Sequence, residues 1–229
     1  MGRLATTVFG VALLASCAAY ADDDAKLSGS PPPATTKIDV ARGDRWIYEI
    51  RDDITDELKI VTDYTVTDVT DSEIDTRVRY TNVANNNSEV TGVQTFDLNW
   101  HTKDNGTVTF RPGLEDVGVP ADLHLGKTWS YKYDTMRTSP LSHFRFIGKA
   151  KVDSWEHVVV GNGLAFDAFK IVYESSVFPV VNNRKFTSRV ELWYAPAANR
   201  YVKRKYESRM NGKLSDASEE ILRDYRRRK

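Results

Sequence analysis

Gly43-Asp44-Arg45-Trp46-Ile47-Tyr48-Glu49-Ile50 returns later in the chain as Gly126-Lys127-Thr128-Trp129-Ser130-Tyr131-Lys132-Tyr133. The shared frame is G-x-x-W-x-Y-x-[IY], and the two copies lie 83 residues apart, Gly43 to Gly126. Within each copy Trp and Tyr sit two positions apart. That period places both on one face of a β-strand. The Gly ahead of each Trp permits a turn into the strand.

The same alternation continues outward. Ile74, Thr76, Val78 and Tyr80 alternate with Asp75, Arg77 and Arg79, and Val190, Leu192 and Tyr194 with Arg189, Glu191 and Trp193. Phe96, Leu98 and Trp100 follow the rule against Asp97 and Asn99. Asn85-Asn86-Asn87-Ser88, Asp104-Asn105-Gly106, Gly161-Asn162-Gly163, Asn182-Asn183 and Asn211-Gly212 interrupt these runs. Asn and Gly tolerate the positive φ of tight hairpins, so consecutive strands are read as antiparallel neighbours. The pattern predicts about ten strands, near 44–52, 58–70, 73–83, 89–101, 107–111, 127–136, 143–160, 164–178, 185–195 and 200–209. The fold class is mainly β, an antiparallel meander in a strongly curved sheet or half-barrel. Each G-x-x-W-x-Y element heads one unit of an internal duplication, about 43–111 and 126–209. The connection at 112–125 is short and apolar, which favours one continuous sheet. The end of the chain reads as a helix at 216–227. Ser215 or Asp216 can cap it, Glu219 and Glu220 suit its first turn, and Ile221, Leu222 and Tyr225 form a stripe.

The first 21 residues read as an export signal. Arg3 is followed by an apolar run, Leu4 to Ala15, too short to span a bilayer. Two processing sites compete. Ala19-Tyr20-Ala21 suits cleavage before Asp22. Leu14-Ala15-Ser16-Cys17 resembles a lipobox, which would end the leader at residue 16 and lipidate Cys17. Residues 22–37, with Ser28-Gly29-Ser30 and Pro31-Pro32-Pro33, read as a flexible tether. Residues 38–229 then form a single domain. Location in the periplasm or at the outer membrane follows, with membrane contact only through a lipidated Cys17.

Cys17 is the only cysteine of 229 residues, so the folded domain has no disulfide, thiolate metal site or cysteine nucleophile. The formal net charge is zero, which gives no bulk reason to expect nucleic acid. His101, His124, His143 and His157 show no metal-ligand spacing, and no nucleophile elbow or P-loop occurs. No metal, cofactor or catalysis is expected. A cell-wall hydrolase would need a converging acidic cluster that no motif announces. Asp167 stands out as an acid inside an apolar strand. Arg226, Arg227, Arg228 and Lys229 read as a solvated basic tail.

The segment Glu191-Leu192-Trp193-Tyr194-Ala195-Pro196, closing on Tyr201-Val202-Lys203, resembles the WYAP…VK strand of bacterial envelope proteins of unknown function. Val160-Gly161-Asn162-Gly163-Leu164-Ala165-Phe166-Asp167-Ala168-Phe169-Lys170-Ile171 and Leu125-Gly126-Lys127-Thr128-Trp129-Ser130-Tyr131 resemble two further strands of that group, covering most of 125–206. Its architecture looks similar to the lipoprotein carriers LolA and LolB, half-barrels over an apolar cavity. The resemblance implies lipid handling. Two functions are therefore carried forward, both non-catalytic. One holds a lipid or acyl ligand on the aromatic concave face, through Trp46, Tyr48, Trp129, Tyr131, Phe169 and Trp193, with Trp193 or Tyr194 exposed. The other is a membrane-tethered scaffold with a filled core that docks envelope protein partners. A hollow interior distinguishes the first from the second.

Overall fold

The computed structural model describes residues 25–26, 39–114, 122–138, 141–179 and 186–228. The leader, Cys17 and all but two residues of the tether lie outside the described residues. The strands are β1 (Ala25–Lys26), β2 (Arg45–Asp52), β3 (Leu58–Val69), β4 (Glu73–Asn82), β5 (Ser88–Asp97), β6 (Thr102–Asp104), β7 (Val108–Leu114), β8 (Thr128–Thr138), β9 (Leu141–Val160), β10 (Leu164–Pro179), β11 (Phe186–Ala195), β12 (Arg200–Met210) and β13 (Lys213–Arg226).

From β2 to β13 each strand pairs antiparallel with the next, as the turn chemistry requires. The last strand then pairs with the first: Leu222 of β13 lies opposite Tyr48 of β2. This pairing closes a 12-stranded barrel. The small β1 adds to the β9 edge at Glu156 and His157, beyond the end of β8.

The C-terminal helix expected at 216–227 is therefore a strand. Asn211 and Gly212 adopt φ of 52° and 79°, and Met210 faces Lys213 across them in a two-residue hairpin. A helix here would leave β12 and β2 with bare edges, whose N–H and C=O groups would lack partners. Closure outweighs the local helical pattern. One substitution of element also turns the expected half-barrel into a complete one. A second difference lies at Leu98–Trp100, where the strand expected to run to 101 instead reverses. The Asp97 carboxylate accepts the N–H groups of Asn99 and His101 (2.8 and 2.9 Å) and pins the turn, with Trp100 at φ 64°. The short β6 follows.

The two G-x-x-W-x-Y elements build the same turn. Gly43 and Gly126 have φ of 90° and 80°. Gly43 N–H donates to Val66 O, and Val66 N–H donates in return to Asp44 O. Gly126 and Lys127 make the matching pair of bonds with Val152. Each turn delivers its Trp and Tyr to the inner face at the start of β2 or β8.

One end of the barrel is capped from above. The β9–β10 hairpin overhangs the β11–β12 turn and reaches β13. At its tip Asn162 Nδ2 donates to Arg223 O (3.1 Å), and Phe166 packs on Tyr225 at 5.5 Å between ring centroids. A Cβ on Gly161 would come within 3.1 Å of the β13 backbone, so the close approach selects glycine there. Trp155, Val158, Val160 and Ala168 are buried beneath the overhang.

Candidate functional site

The β11–β12 turn tucks into the capped end and fills it. Ala198 N–H bonds to Ala195 O and Asn199 N–H to Pro196 O, and Asn199 takes a left-handed φ of 54°. Three aromatic side chains tie the turn down. Trp46 Nε1 donates to Ala198 O (3.0 Å), Trp100 Nε1 to Asn199 O (2.8 Å) and the Tyr48 hydroxyl to Tyr201 O (2.8 Å). These bonds fix Arg200, whose guanidinium is enclosed by six rings. Its central carbon lies 4.1 Å from the Tyr64 centroid and 4.5 Å from that of Trp100, with Trp46, Tyr48, Phe96 and Tyr201 within 6 Å.

Arg200 is 3% exposed, and its Nε and Nη1 reach no hydrogen-bond acceptor. The ring faces take that role, because an aromatic quadrupole attracts a desolvated cation. Burial works against its charge. The Coulombic pull of Tyr48, Tyr201, Tyr64 and Glu220 outweighs burial and holds the group above the usual arginine range. Burial also drives the hydroxyls of Tyr48, Tyr64 and Tyr201 well above the usual phenol value, and pushes Tyr194 up to about 12.

The six predicted ligand residues do not converge on one hollow. Trp46 and Tyr48 are fully buried around Arg200. Trp129 packs edge-on against Tyr173, whose ring also meets Tyr131. Tyr131 lies across Gly148, where any Cβ would strike the phenol ring. Phe169 packs on Trp155 at 4.6 Å under the overhang. Trp193 lies on the opposite face of the sheet, opposite Lys170 and Lys203. The expectation that Trp193 or Tyr194 is exposed fails: they are 2% and 4% accessible. Trp193 Nε1 donates to the buried Glu156 carboxylate (2.6 Å), whose other oxygen accepts from Ser154, and Lys170 covers its ring at 4.7 Å. Alternation does set the two on opposite faces, but Glu156, Lys170 and Lys203 cover Trp193 on the side expected to be open.

The open concavity lies outside, across β8 to β12. Two adjoining hollows of about 760 and 660 Å³ share Ser130, Lys149, Glu174 and Arg189. The registers explain this. Ser130, Lys149, Glu174, Arg189 and Glu207 form one row across five strands. Lys132, Ile147, Ser176, Thr187 and Arg209 form the next. Arg189 bonds Glu174 and Glu191 (2.6 and 2.7 Å), Lys170 bonds Glu191 (3.0 Å) and Arg209 bonds Glu207 (3.1 Å). Glu191 is half-buried, which would raise its pKa, yet the bonds from Arg189 and Lys170 leave it below the usual value.

The titratable groups elsewhere are accounted for locally. His157 bonds Asp167 (2.8 Å) on an exposed surface, and His101 bonds Asp97 (2.7 Å). Among the described residues, no three His, Cys, Asp or Glu side chains are grouped to hold a metal. The basic tail is partly tied down, a correction to its reading as solvated. Arg227 Nε and Arg228 N–H both bond the fully buried Asp44 carboxylate (3.3 and 2.5 Å).

Solved structures with this architecture exist. A "putative lipoprotein" of Parabacteroides distasonis superposes with a TM-score of 0.61 over 84% of this chain and 99% of its own, at 16% identity. A "putative exported protein with YmcC-like fold" from Bacteroides fragilis gives 0.56 over 83% and 99%, at 15% identity. The chain shares their fold. It matches no family model and no curated protein sequence.

Proposed function

We propose that this is an exported, non-catalytic envelope protein that acts as an interaction module and docks a protein partner through its outer surface. The observation that carries the proposal is the occupancy of the inner face. Where an apolar ligand would sit against Trp46 and Tyr48, Arg200 and the rings of Tyr64, Phe96, Trp100 and Tyr201 already fill the space. A carrier needs a cavity that accepts and releases its ligand. The open hollows across β8 to β12, which carry charged side chains from every strand, are the alternative surface. The leader-like N-terminus and the fold shared with proteins described as exported or as a lipoprotein support an envelope location. Lipidation of Cys17 would hold the module at a membrane.

Native mass spectrometry of the mature chain, purified without detergent from a periplasmic extract, tests the choice. A bare protein mass, unchanged by organic extraction, is expected. An extractable adduct of lipid size would overturn the filled-core reading and restore the apolar carrier.

A further inference from the structure

We infer that the groove across β8 to β12 receives an acidic segment of a protein partner; this rests on the docking function proposed above. The two groove rows carry Lys132, Lys149, Arg189 and Arg209 against Glu174 and Glu207, a surplus of two positive charges. Both acids are committed to groove arginines, Glu174 to Arg189 and Glu207 to Arg209. Lys132 and Lys149 are exposed and make no ion pair with any described residue. They lie on neighbouring strands in diagonal register, since Lys132 faces Ile147 and Lys149 faces Ser130. Such diagonal positions are about 7–8 Å apart. The surplus is thus concentrated at the β8–β9 side of the groove. Two carboxylates of one extended segment could meet both ammonium groups.

The remaining floor selects the class of partner. Five strands at about 4.8 Å spacing give a groove about 19 Å across, enough for five or six residues of extended chain. Between the cations stand Ser130, Ser176 and Thr187, which exchange hydrogen bonds with a peptide backbone, and Ile147, an apolar contact 46% exposed. Glu174 and Glu207 line the same floor and would repel a uniform polyanion. A protein segment with two acids among neutral or basic neighbours fits the alternating signs, whereas an acidic polysaccharide does not.

The test titrates the mature chain by fluorescence anisotropy with three labelled probes. These are a Glu/Ser hexapeptide with two glutamates, its Lys/Ser counterpart, and a galacturonate hexamer. The Glu/Ser peptide should bind best, lose at least tenfold in affinity in K132E/K149E, and keep its affinity in the control R77E/K213E, which reverses two exposed cations on β4 and β13. Equal binding by wild type and K132E/K149E would overturn the assignment of the groove. Tighter binding of the galacturonate hexamer would replace the peptide with an acidic glycan. A photo-crosslinker at Ile147 in cells separates the two levels of the argument. Protein adducts that vanish with K132E/K149E support both. Adducts from crosslinkers on β3 or β4 but none from Ile147 would overturn the groove and leave the docking function standing. No protein adduct from either surface would count against both.

Discussion

The barrel has two polar features built on opposite principles. At the capped end Arg200 is sealed among rings, with two nitrogens facing no acceptor. Across β8 to β12 the charges stand in open rows, and four of the six are paired with one another in water. In the first, the charge is desolvated, and three of the six rings around it are hydrogen-bonded to the segment that carries it. In the second, each ion pair is exposed enough to contribute about 0–1 kcal/mol, so the rows are replaceable for stability and available for contact. Stability therefore concentrates at the capped end and binding capacity in the groove.

The sharpest way to break this contrast is to empty the cage. Arg200→Ala should remove roughly 3–5 kcal/mol, the range for large buried side chains cut to alanine. Urea unfolding followed by tryptophan emission reads it directly, because Trp46 and Trp100 line the cage. Arg200→Met separates volume from charge. It fills the space and removes a buried cation, and should recover most of the loss. Equal destabilisation by both variants would mean that the cation, not the volume, holds the end together.

Alkali should act next, on the buried phenols of the sealed region. Tyr194 titrates near 12, against an ordinary 10, because it is buried. Tyr48, Tyr64 and Tyr201 are raised for the same reason. A phenol raised by folding favours the native state below its unfolded value, and that advantage is lost as pH climbs from about 10 through the folded value. Tyr194 alone contributes about 2.7 kcal/mol across that window, two pKa units. Circular dichroism against pH should show unfolding that begins near pH 10. A flat profile to pH 12 would argue that these phenols are hydrated.

Gly148→Ala should cost about 1–3 kcal/mol through overpacking, since the new methyl would press into Glu174 O and the Tyr131 ring, well inside van der Waals contact. A thermal melt checks it, and an unchanged midpoint would mean that Tyr131 can swing aside.

How much of this was legible in the sequence follows from the range of each interaction. The strands, the hairpins and the inward Trp46/Tyr48 and Trp129/Tyr131 pairs follow from period-two alternation and Asn-Gly turns, which are local. Asn211-Gly212 carried the hairpin signal that makes β13 a strand. The Ser215–Glu219 cap pattern and the Ile221/Leu222/Tyr225 stripe competed with it. The deciding partner, β2, lies more than 160 residues away. Arg200 was missed because its surroundings come from β2, β3, β5 and the turn after it, and an Arg following Asn has no signature of burial. Trp193 misled because alternation gives a residue's face and not its cover: Glu156, Lys170 and Lys203, brought by β9, β10 and β12, bury it on the face opposite Tyr194. The groove rows were visible only as a charged face. Which charges stand side by side is decided by register between strands.

The groove variant supplies the smallest expected effect and the cleanest separation. K132E/K149E alters two exposed side chains that make no ion pair with any described residue. Surface changes of this kind usually move stability by no more than about 0.5 kcal/mol. The reversal sets a carboxylate at position 149 beside Glu174, a like-charge neighbour across β9 and β10, whereas the one at position 132 meets no acid in its own row. Mild repulsion at one position is all that should register in a urea midpoint, and it should shrink as salt screens it. If the variant instead unfolded as readily as Arg200→Ala, the rows would be structural supports rather than a docking surface. A midpoint close to wild type, together with lost peptide affinity, would place stability and recognition on separate parts of one barrel.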